Sequence, residues 1–345
     1  MGIFGRRKTT VGLDIGSAFV KVVEIDHMGD RPELRRIMSR PIPPGAVVDG
    51  EVTNRELLSD AVRALLEAAA LQSRDVITAL GGHDVFVKKV ELAHVPNVSV
   101  RDLIAREAQR RVPFDLQSVH LDYQTLGPTP PDGSMEALLV AAKKERVQAR
   151  ISLLEDAGAA AALLDVEALA LCNALCHNYR CASEGVVALV NLGYEVTNIV
   201  ILDDGIPALI RDLPLGLRRF GELLQRVHGL PAELVEEVIQ GRGDLQGLDR
   251  AVETGADVVA VGIERACAFL GSQRPGSGLG RVFLSGGGAC LAGVTEALGH
   301  RMKVDTRVAN PCERVAVAPG LRGRSALSGA APLFFQAIGL ALRNS

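Results

Sequence analysis

The chain has 345 residues, 48% of them apolar and 23% charged, with a formal net charge of −3. That is enough for about two packed domains and excludes a disordered chain. Aromatic residues make up 3% and Trp is absent, so the basic face and stacking platforms of a nucleic-acid binder are missing and no nucleic-acid partner is expected.

The opening MGIFGRRK turns basic at once, unlike a signal peptide, and Arg6 stands where a myristoylation motif needs Ser or Thr. TVGLDIGSAFVKVVEI, Thr10 to Ile25, then reads as strand, glycine turn and strand. After the reversal DHMGD, PELRRIMSR gives a third strand. Residues 38–145 read as an inserted α/β module. Its first helix covers Asn54 to Leu71, capped by Thr53 or Asn54. DVITAL and DVFVKKVEL are expected to pair around the turn GGH. VSVRDLIAREAQRRVPF follows as a helix, with Ser99 and Asp102 as a capping box and Pro113 as its stop. SVHLDYQTL and EALLVAAKK are strands around the loop LGPTPPDGS.

The most apolar run, Ala157 to Cys176, is broken by Asp165 and Glu167 and falls short of a membrane span. Glu167 opens a helix in LLDVEALALCNAL. At the end of that helix lies a C-x3-C-H-x3-C cluster: Cys172, Cys176, His177 and Cys181. Thiols packed in a core explain it better than a metal site, because zinc spacings are tighter and paired. VALVNLGYEVTNIVIL, Val187 to Leu202, then repeats the opening layout: strand, glycine turn, strand, the reversal LDDG, and the third strand IPALIRDLPL. Gly29 follows Asp14 at nearly the interval by which Gly205 follows Asn191, which points to an internal duplication, each copy forming half of a sheet. GLRRFGELLQRVHG, LPAELVEEVIQG and Asp249 to Gly271 read as helices. RVFLSGGGACLAGVTEALG reads as strand, glycine turn and helix, and SGAAPLFFQAIGLALR as a closing amphipathic helix. Segments 271–280 and 319–332 read as loops.

Three glycine turns follow strands: DIGS at 14–17, NLGY at 191–194 and SGGG at 285–288. Such turns let backbone amides approach phosphate oxygens because no Cβ intervenes. One alone is an ordinary tight turn; three, two of them in duplicated units, point to nucleotide binding. With no Gly-Lys pair, a P-loop is excluded, and GxGxxG after the first strand is absent, so a dinucleotide site does not fit.

Asp14, Gly16, Ser17 and Lys21, in the pattern D-x-G-S-x3-K, resemble the first phosphate loop of the actin, sugar-kinase and seventy-kilodalton heat-shock superfamily. NLGYEVT occupies the second loop and LSGGGACLAGV resembles the adenosine motif. VDGEVTN, RRVPFDLQSVHLDYQTLG, LLVAAKKERV, AGAAAALLDVEALAL and FFQAIGLALR are similar to stretches of the type IV pilus assembly PilM family, relatives of the division protein FtsA. The resemblance covers nearly the whole chain. It implies an α/β, actin-like (ribonuclease H-like) two-lobed fold with duplicated mixed sheets and an inserted α/β subdomain of the FtsA/PilM type. The expected first lobe is 1–37 with 146–184 and the helix 329–345, and the second lobe is 185–328.

The same resemblance implies ATP or ADP with Mg²⁺ as ligands. Asp14 would hold Mg²⁺ directly or through water. The backbone at Gly16 and Ser17 would cradle phosphates, and Lys21 would reach them. Asn191, Gly193 and Thr197 would form the second loop, and Gly286, Gly287 and Gly288 would approach the adenine and ribose. Glu167 would be the catalytic, water-orienting carboxylate; otherwise it is a helix-start Glu favoured by the macrodipole. The implied partner is the N-terminal cytoplasmic peptide of the inner-membrane protein PilN, docked in a groove beside the inserted module. Motor ATPases, a PilC-type platform protein and ring self-association are further partners it allows. The chain would be cytoplasmic, held at the inner face of the inner membrane through its partner without inserting into the membrane itself.

The second loop departs from the family pattern D-x-G-small-small-x-T. Asn191 replaces the carboxylate, and Tyr194 and Glu195 are expected to add bulk and like charge near the phosphates. An amide attracts Mg²⁺ less than a carboxylate, and phosphoryl transfer depends on positioning and charge stabilisation. Binding with slow or absent hydrolysis is therefore expected, and Asn191→Asp is expected to raise turnover. An active ATPase and an FtsA-like division protein are the alternatives. The latter family carries an amphipathic tail beyond a linker, whereas this sequence stops at Ser345. A small-molecule kinase would need a substrate-facing Asp, and none stands in a suitable context.

Overall fold

The structure is a computed structural model that describes residues 9–343 except 49, 94, 96, 128–132, 182, 183, 230, 232–234, 236–247 and 274–277. Contacts divide the chain into a larger unit, Met1–Ala79 with Leu153–Ser345, and a smaller one, Leu80–Ser152.

In the larger unit, strands β1 (Thr9–Ile15) and β2 (Phe19–Asp26) pair antiparallel and are buried along almost their whole length. Their β-branched and leucine side chains are covered on both faces, the mark of central strands. β3 (Glu33–Pro41) continues the meander. After the hairpin β4 (Val47–Val48) and β5 (Glu51–Val52), helix α1 (Arg55–Ala69) leads to β6 (Asp75–Leu80), which lies parallel to β1. β10 (Ala160–Val166) extends this sheet beyond β6.

A second sheet repeats the plan. β11 (Val186–Leu192), β12 (Thr197–Asp203) and β13 (Ile206–Leu213) form the meander; β14 (Leu279–Ser285) lies parallel to β11, and β15 (Asp305–Val308) lies beyond it. The order β3-β2-β1-β6-β10 in one sheet and β13-β12-β11-β14-β15 in the other is the same. The duplicated mixed sheets expected from the sequence are present.

Helices alternate with these sheets. Leu58, Val62, Leu65 and Leu66 of α1 cover Val11, Leu13, Val20 and Val22 on the outside of the first sheet. Each such burial is worth about 1.5–3 kcal/mol relative to exposure. α4 (Glu167–Asn178) lies against Val187, Leu189, Val200 and Phe283 of the second sheet, together with the buried thiols of Cys172 and Cys181. On that sheet's other face, Phe220 and Leu224 of α5 (Leu217–His228), Val259 and Ile263 of α6 (Leu248–Gln273) and Leu298 of α7 (Val294–Met302) form the largest cluster.

The closing segment differs from expectation. Residues 319–332 are not a loop: β16 (Ala316–Arg322) pairs parallel with β3, so the chain has already returned to the first sheet, ahead of the expected boundary at 329. α8 (Arg324–Ala330) follows. Pro332 breaks the expected single helix, because it lacks the amide a helix interior needs, and α9 (Phe335–Ala341) begins after a short 3-10 turn. α9 is buried on every side rather than amphipathic. It packs on β1 at Gly12 and on α4 at Gly339; a Cβ at Gly339 would fall inside the Ala170 carbonyl oxygen.

The smaller unit has the sheet order β7-β9-β8. β7 (Val85–Leu92) and β8 (Val119–Leu126) flank β9 (Met135–Lys143), and α2 (Val100–Arg111) covers one face through Ile104 and Ala108. The Ser99 hydroxyl oxygen accepts the Asp102 amide at the start of α2. The Asp102 carboxylate turns to the Ser99 hydroxyl, so only half of the capping box forms. Two expectations change. DVITAL does not pair with DVFVKKVEL, because β6 joins β1 and β7 joins β9. Nor does the module span 38–145, since α1 and β6 belong to the first sheet and its core. The uniformly buried β6 beside the alternating β7 separates an interior strand from an edge strand. α3 (Lys144–Asp156) begins in the smaller unit and contributes Leu153 and Leu154 to the core under α1. The helix expected over LPAELVEEVIQG, the centre of the loop LGPTPPDGS and the opening MGIFGRRK lie outside the described residues.

Gly339→Ala is expected to lower the thermal midpoint by several degrees, since overpacking costs about 1–3 kcal/mol or more. Gly320→Ala, where a Cβ meets nothing within 4 Å, should leave it unchanged. Equal melting of the two variants would contradict the close helix crossing.

Candidate functional site

Asp14 is the last residue but one of β1 and faces Lys21 across the β1–β2 pair. Both are buried, and the Lys21 ammonium lies 2.7 Å from Asp14 Oδ2. The other oxygen, Oδ1, accepts Gln336 Nε2 at 3.0 Å. Lys21 is therefore not a solvated strand lysine. Its ammonium also lies against the glycine turn, 3.0 Å from where a Cβ on Gly16 would sit. The Gly16 amide bonds the Phe19 carbonyl at 3.1 Å, closing the turn. The half-buried Ser17 and its neighbour Ala18 have amides without a hydrogen-bond acceptor among the described residues. Backbone amides beside a buried ammonium are the kind of donors that suit an anion.

Gln336 was not foreseen. It is the one polar residue in the fully buried α9, a signal visible in FFQAIGLALR as an amide inside an apolar run. Four residues earlier, the Pro332 carbonyl accepts the Gly286 amide at 2.9 Å. Residues 332–336 thus tie the first glycine turn to the third.

The second turn is its counterpart in geometry and differs in chemistry. Asn191 faces Asn198 across β11 and β12 as Asp14 faces Lys21, so an amide pair stands where the first copy has an ion pair. Asn191 Nδ2 donates to Asn198 Oδ1 at 3.0 Å, and Asn198 Nδ2 donates to Asp212 Oδ1 at 2.8 Å. On the other side, Ser285 Oγ donates to Asn191 Oδ1 at 3.2 Å. These residues are laterally paired, forming a row across β14, β11, β12 and β13. The Asp212 carboxylate can only accept, so Asn198 turns its amino group to it and presents oxygen to residue 191. That position must donate. Asn does so and a carboxylate does not, which gives Asn191 a structural reason and removes the simple expectation that Asn191→Asp improves the site.

The Gly193 amide bonds the Val196 carbonyl at 3.0 Å, and a Cβ there would meet that oxygen at 2.5 Å. The first amides of α5, Leu217 and Arg218, donate to the carbonyls of Gly193 and Tyr194 at 3.0 and 2.8 Å. Thr197 is fully buried and its hydroxyl donates to the Leu215 carbonyl at 2.6 Å. The Tyr194 ring packs against the second-sheet core rather than crowding the turn. Glu195 is likewise drawn aside: its Oε2 accepts the Gly50 amide at 2.6 Å and Oε1 lies 3.7 Å from Arg218.

Gly286, Gly287 and Gly288 form the start of a short turn after β14. Gly286 has φ +82, and a Cβ on it would sit 2.5 Å from the Leu192 carbonyl oxygen and 2.7 Å from Asn191 Oδ1. A Cβ on Gly288 would come within 2.6 Å of Leu192 Cβ, whereas Gly287 has ordinary room. Two of the three glycines are thus required for seating the third turn on the second. Glu167 starts α4 and is half-buried. It makes no hydrogen bond to Asp14, Lys21, Gln336 or Asn191. Two residues before it, burial raises the Asp165 carboxyl above its ordinary pKa, opposed by Arg343 at 3.5 Å.

Asn191→Asp is expected to cost about 1–3 kcal/mol in urea unfolding by placing two acceptors face to face. Adding Asp212→Asn should recover most of it, because Asn198 can then turn over and donate to Asp at position 191. Independent, additive losses in the double variant would contradict the donor order.

The model for the family described as type IV pilus assembly protein PilM matches residues 12–345. A solved structure described as the PilM–PilN type IV pilus biogenesis complex is 30% identical, covering 99% of each chain with a TM-score of 0.84. The ethanolamine utilization protein EutJ of Carboxydothermus hydrogenoformans shares the fold at 17% identity and TM-score 0.56, covering 98% of this chain and 91% of its own. MreB5 of Spiroplasma citri bound to ADP does so at 11% identity and TM-score 0.50, covering 96% and 94%. The fold is actin-like, and the chain belongs to the type IV pilus assembly protein PilM family.

Proposed function

We propose that the chain is a nucleotide-binding scaffold of a type IV pilus assembly machine that binds ATP or ADP and turns it over slowly or not at all. The carrying observation is the pairing of the two loop residues: Asp14 is engaged by Lys21 and Gln336, and Asn191 is an amide held in a row of hydrogen bonds. Lys21 and the amides of Ser17 and Ala18 suit phosphate oxygens, and the turn at Gly286–Gly288 is the segment proposed to approach the adenosine group. Bound Mg²⁺ would supply charge neutralisation at the phosphates. With both Asp14 oxygens already engaged, a water-mediated contact suits this carboxylate better than direct ligation. Glu167 is the residue proposed to orient water. A site that binds phosphates but offers one neutralised carboxylate and one amide is poorly equipped for the charge stabilisation that hydrolysis requires.

The proposed partner is the N-terminal cytoplasmic peptide of PilN, supported by the full-length similarity to a PilM–PilN complex. No helix among the described residues is long and apolar enough to cross a membrane, and we place the chain at the inner membrane surface through that partner. Coupling to motor ATPases or a PilC-type platform and assembly into a ring belong to the same proposal. Nucleotide would act by favouring one relation of the two sheets over another.

Titration calorimetry with ATP and Mg²⁺ should show binding that Lys21→Ala weakens by at least about tenfold, the loss of one charge-assisted contact. Single-turnover hydrolysis should be slow. Substantial turnover abolished by Glu167→Ala would contradict the scaffold reading in favour of an active ATPase. A labelled PilN N-terminal peptide should bind in fluorescence anisotropy, and absence of binding would remove the partner.

A further inference from the structure

We propose that the free edge of β13, with the groove it shares with α6, is a docking surface for an extended, acidic segment of a partner protein that joins the second sheet as a further strand. The duplication gives the first indication. In the first sheet β16 pairs with β3 on the side away from β2. In the second sheet no strand among the described residues lies beyond β13, the strand equivalent to β3. Such an edge leaves backbone amides and carbonyls unpaired. Pro207, near the start of β13, lacks an amide and suits an edge position, so pairing is expected over residues 208–213.

The groove beside that edge carries the selectivity. A cavity of about 490 Å³ opens between the two elements, lined by Arg211 and Leu213 of β13 and by Val258, Val261 and Arg265 of α6. Gly262 lets β13 and α6 close together at its floor: a Cβ there would come within 2.8 Å of Leu213 Cδ1. Val258, Val261 and Arg265 recur at the spacing that shares one face of a helix, and Val258 is 46% exposed. Arg211 stands opposite Ile199, which is buried on the α6 side, so the Arg211 side chain shares that face.

Charge decides the occupant. Arg211 and Arg265 make no ion pair or hydrogen bond among the described residues. The acids of the groove are already engaged: Asp212 accepts Asn198 Nδ2 at 2.8 Å, and Asp257 accepts Arg301 Nε at 3.0 Å. Two exposed guanidinium groups over an apolar floor complement a carboxylate flanked by apolar side chains. In a strand, alternation places all three on one face, opposite Leu209, Arg211 and Leu213. Backbone pairing then supplies affinity and the carboxylate supplies selection.

The probe is the labelled peptide fluorescein-Thr-Val-Thr-Glu-Thr-Val-Thr-amide, whose sequence reads the same in both directions and so suits either strand polarity. Fluorescence anisotropy with the full chain, without nucleotide, should give a Kd below about 1 mM. The same peptide with Lys in place of Glu should bind at least about tenfold more weakly. In the double variant Arg211→Glu, Arg265→Glu the preference should reverse, and binding of the Lys peptide also shows that this variant is folded. Saturating Glu peptide should slow hydrogen–deuterium exchange of residues 208–213 by at least about fivefold. No binding of the Glu peptide, equal binding of the two peptides, or a preference that does not reverse overturns the proposal. Binding without protection of residues 208–213, or displacement of the peptide by equimolar inorganic phosphate, reduces the groove to a plain anion site and overturns it as well. A dimer in sedimentation that the double variant abolishes assigns the edge to a second copy of this chain and overturns the partner segment.

Discussion

The close crossing of α4 and α9 is the constraint on which the arrangement rests. The two helices lie between the sheets, α4 against the second and α9 against the first, and they meet where Gly339 leaves no side chain over the Ala170 carbonyl. Gly12 allows α9 the same closeness to β1. Helix backbones that approach this far set the spacing of both sheets. That spacing brings the Gln336 side chain to Asp14 and the Pro332 carbonyl to Gly286. The site is assembled by helix packing as much as by its loops.

From that frame the three turns acquire different roles. The first retains a buried ammonium beside two amides that have no acceptor among the described residues. The second keeps its shape through hydrogen bonds that run sideways across four strands, and its amide at Asn191 is the donor that row needs. The third is seated on the second so closely that Gly286 and Gly288 are fixed by Leu192 and Asn191 before any ligand is considered. A change at residue 191 therefore acts on the sheet and on the third turn together.

The duplicated meanders were legible because both consist of long β-branched runs around a glycine turn, and such runs have little freedom to be anything else. The glycine turns were legible for the same reason. The helix at 167 and the cap at Ser99 followed from local chemistry. The module boundary was not legible, because the apolar face of α1 and the uniformly apolar β6 fit either an inserted module or the first sheet; only their contacts with Val11, Leu13 and Val20 decide it. β16 was hidden by Pro319 and Gly320, which read as a loop yet sit where β16 leaves its register with β3. Gln336 and the Asn198–Asp212 pairing depend on residues distant in sequence. Glu195 was read as an obstacle at the phosphates because the sequence gives no sign that Gly50 would reach it.

The most direct test is a structure of the full chain with a non-hydrolysable ATP analogue and Mg²⁺. Phosphate oxygens bonded to the amides of Ser17 and Ala18 and to Lys21, with Mg²⁺ held near Asp14 through water and Asn191 still bonded to Asn198, is the predicted result. Phosphates bound elsewhere, or Mg²⁺ ligated directly by both Asp14 and Asn191, would contradict the account.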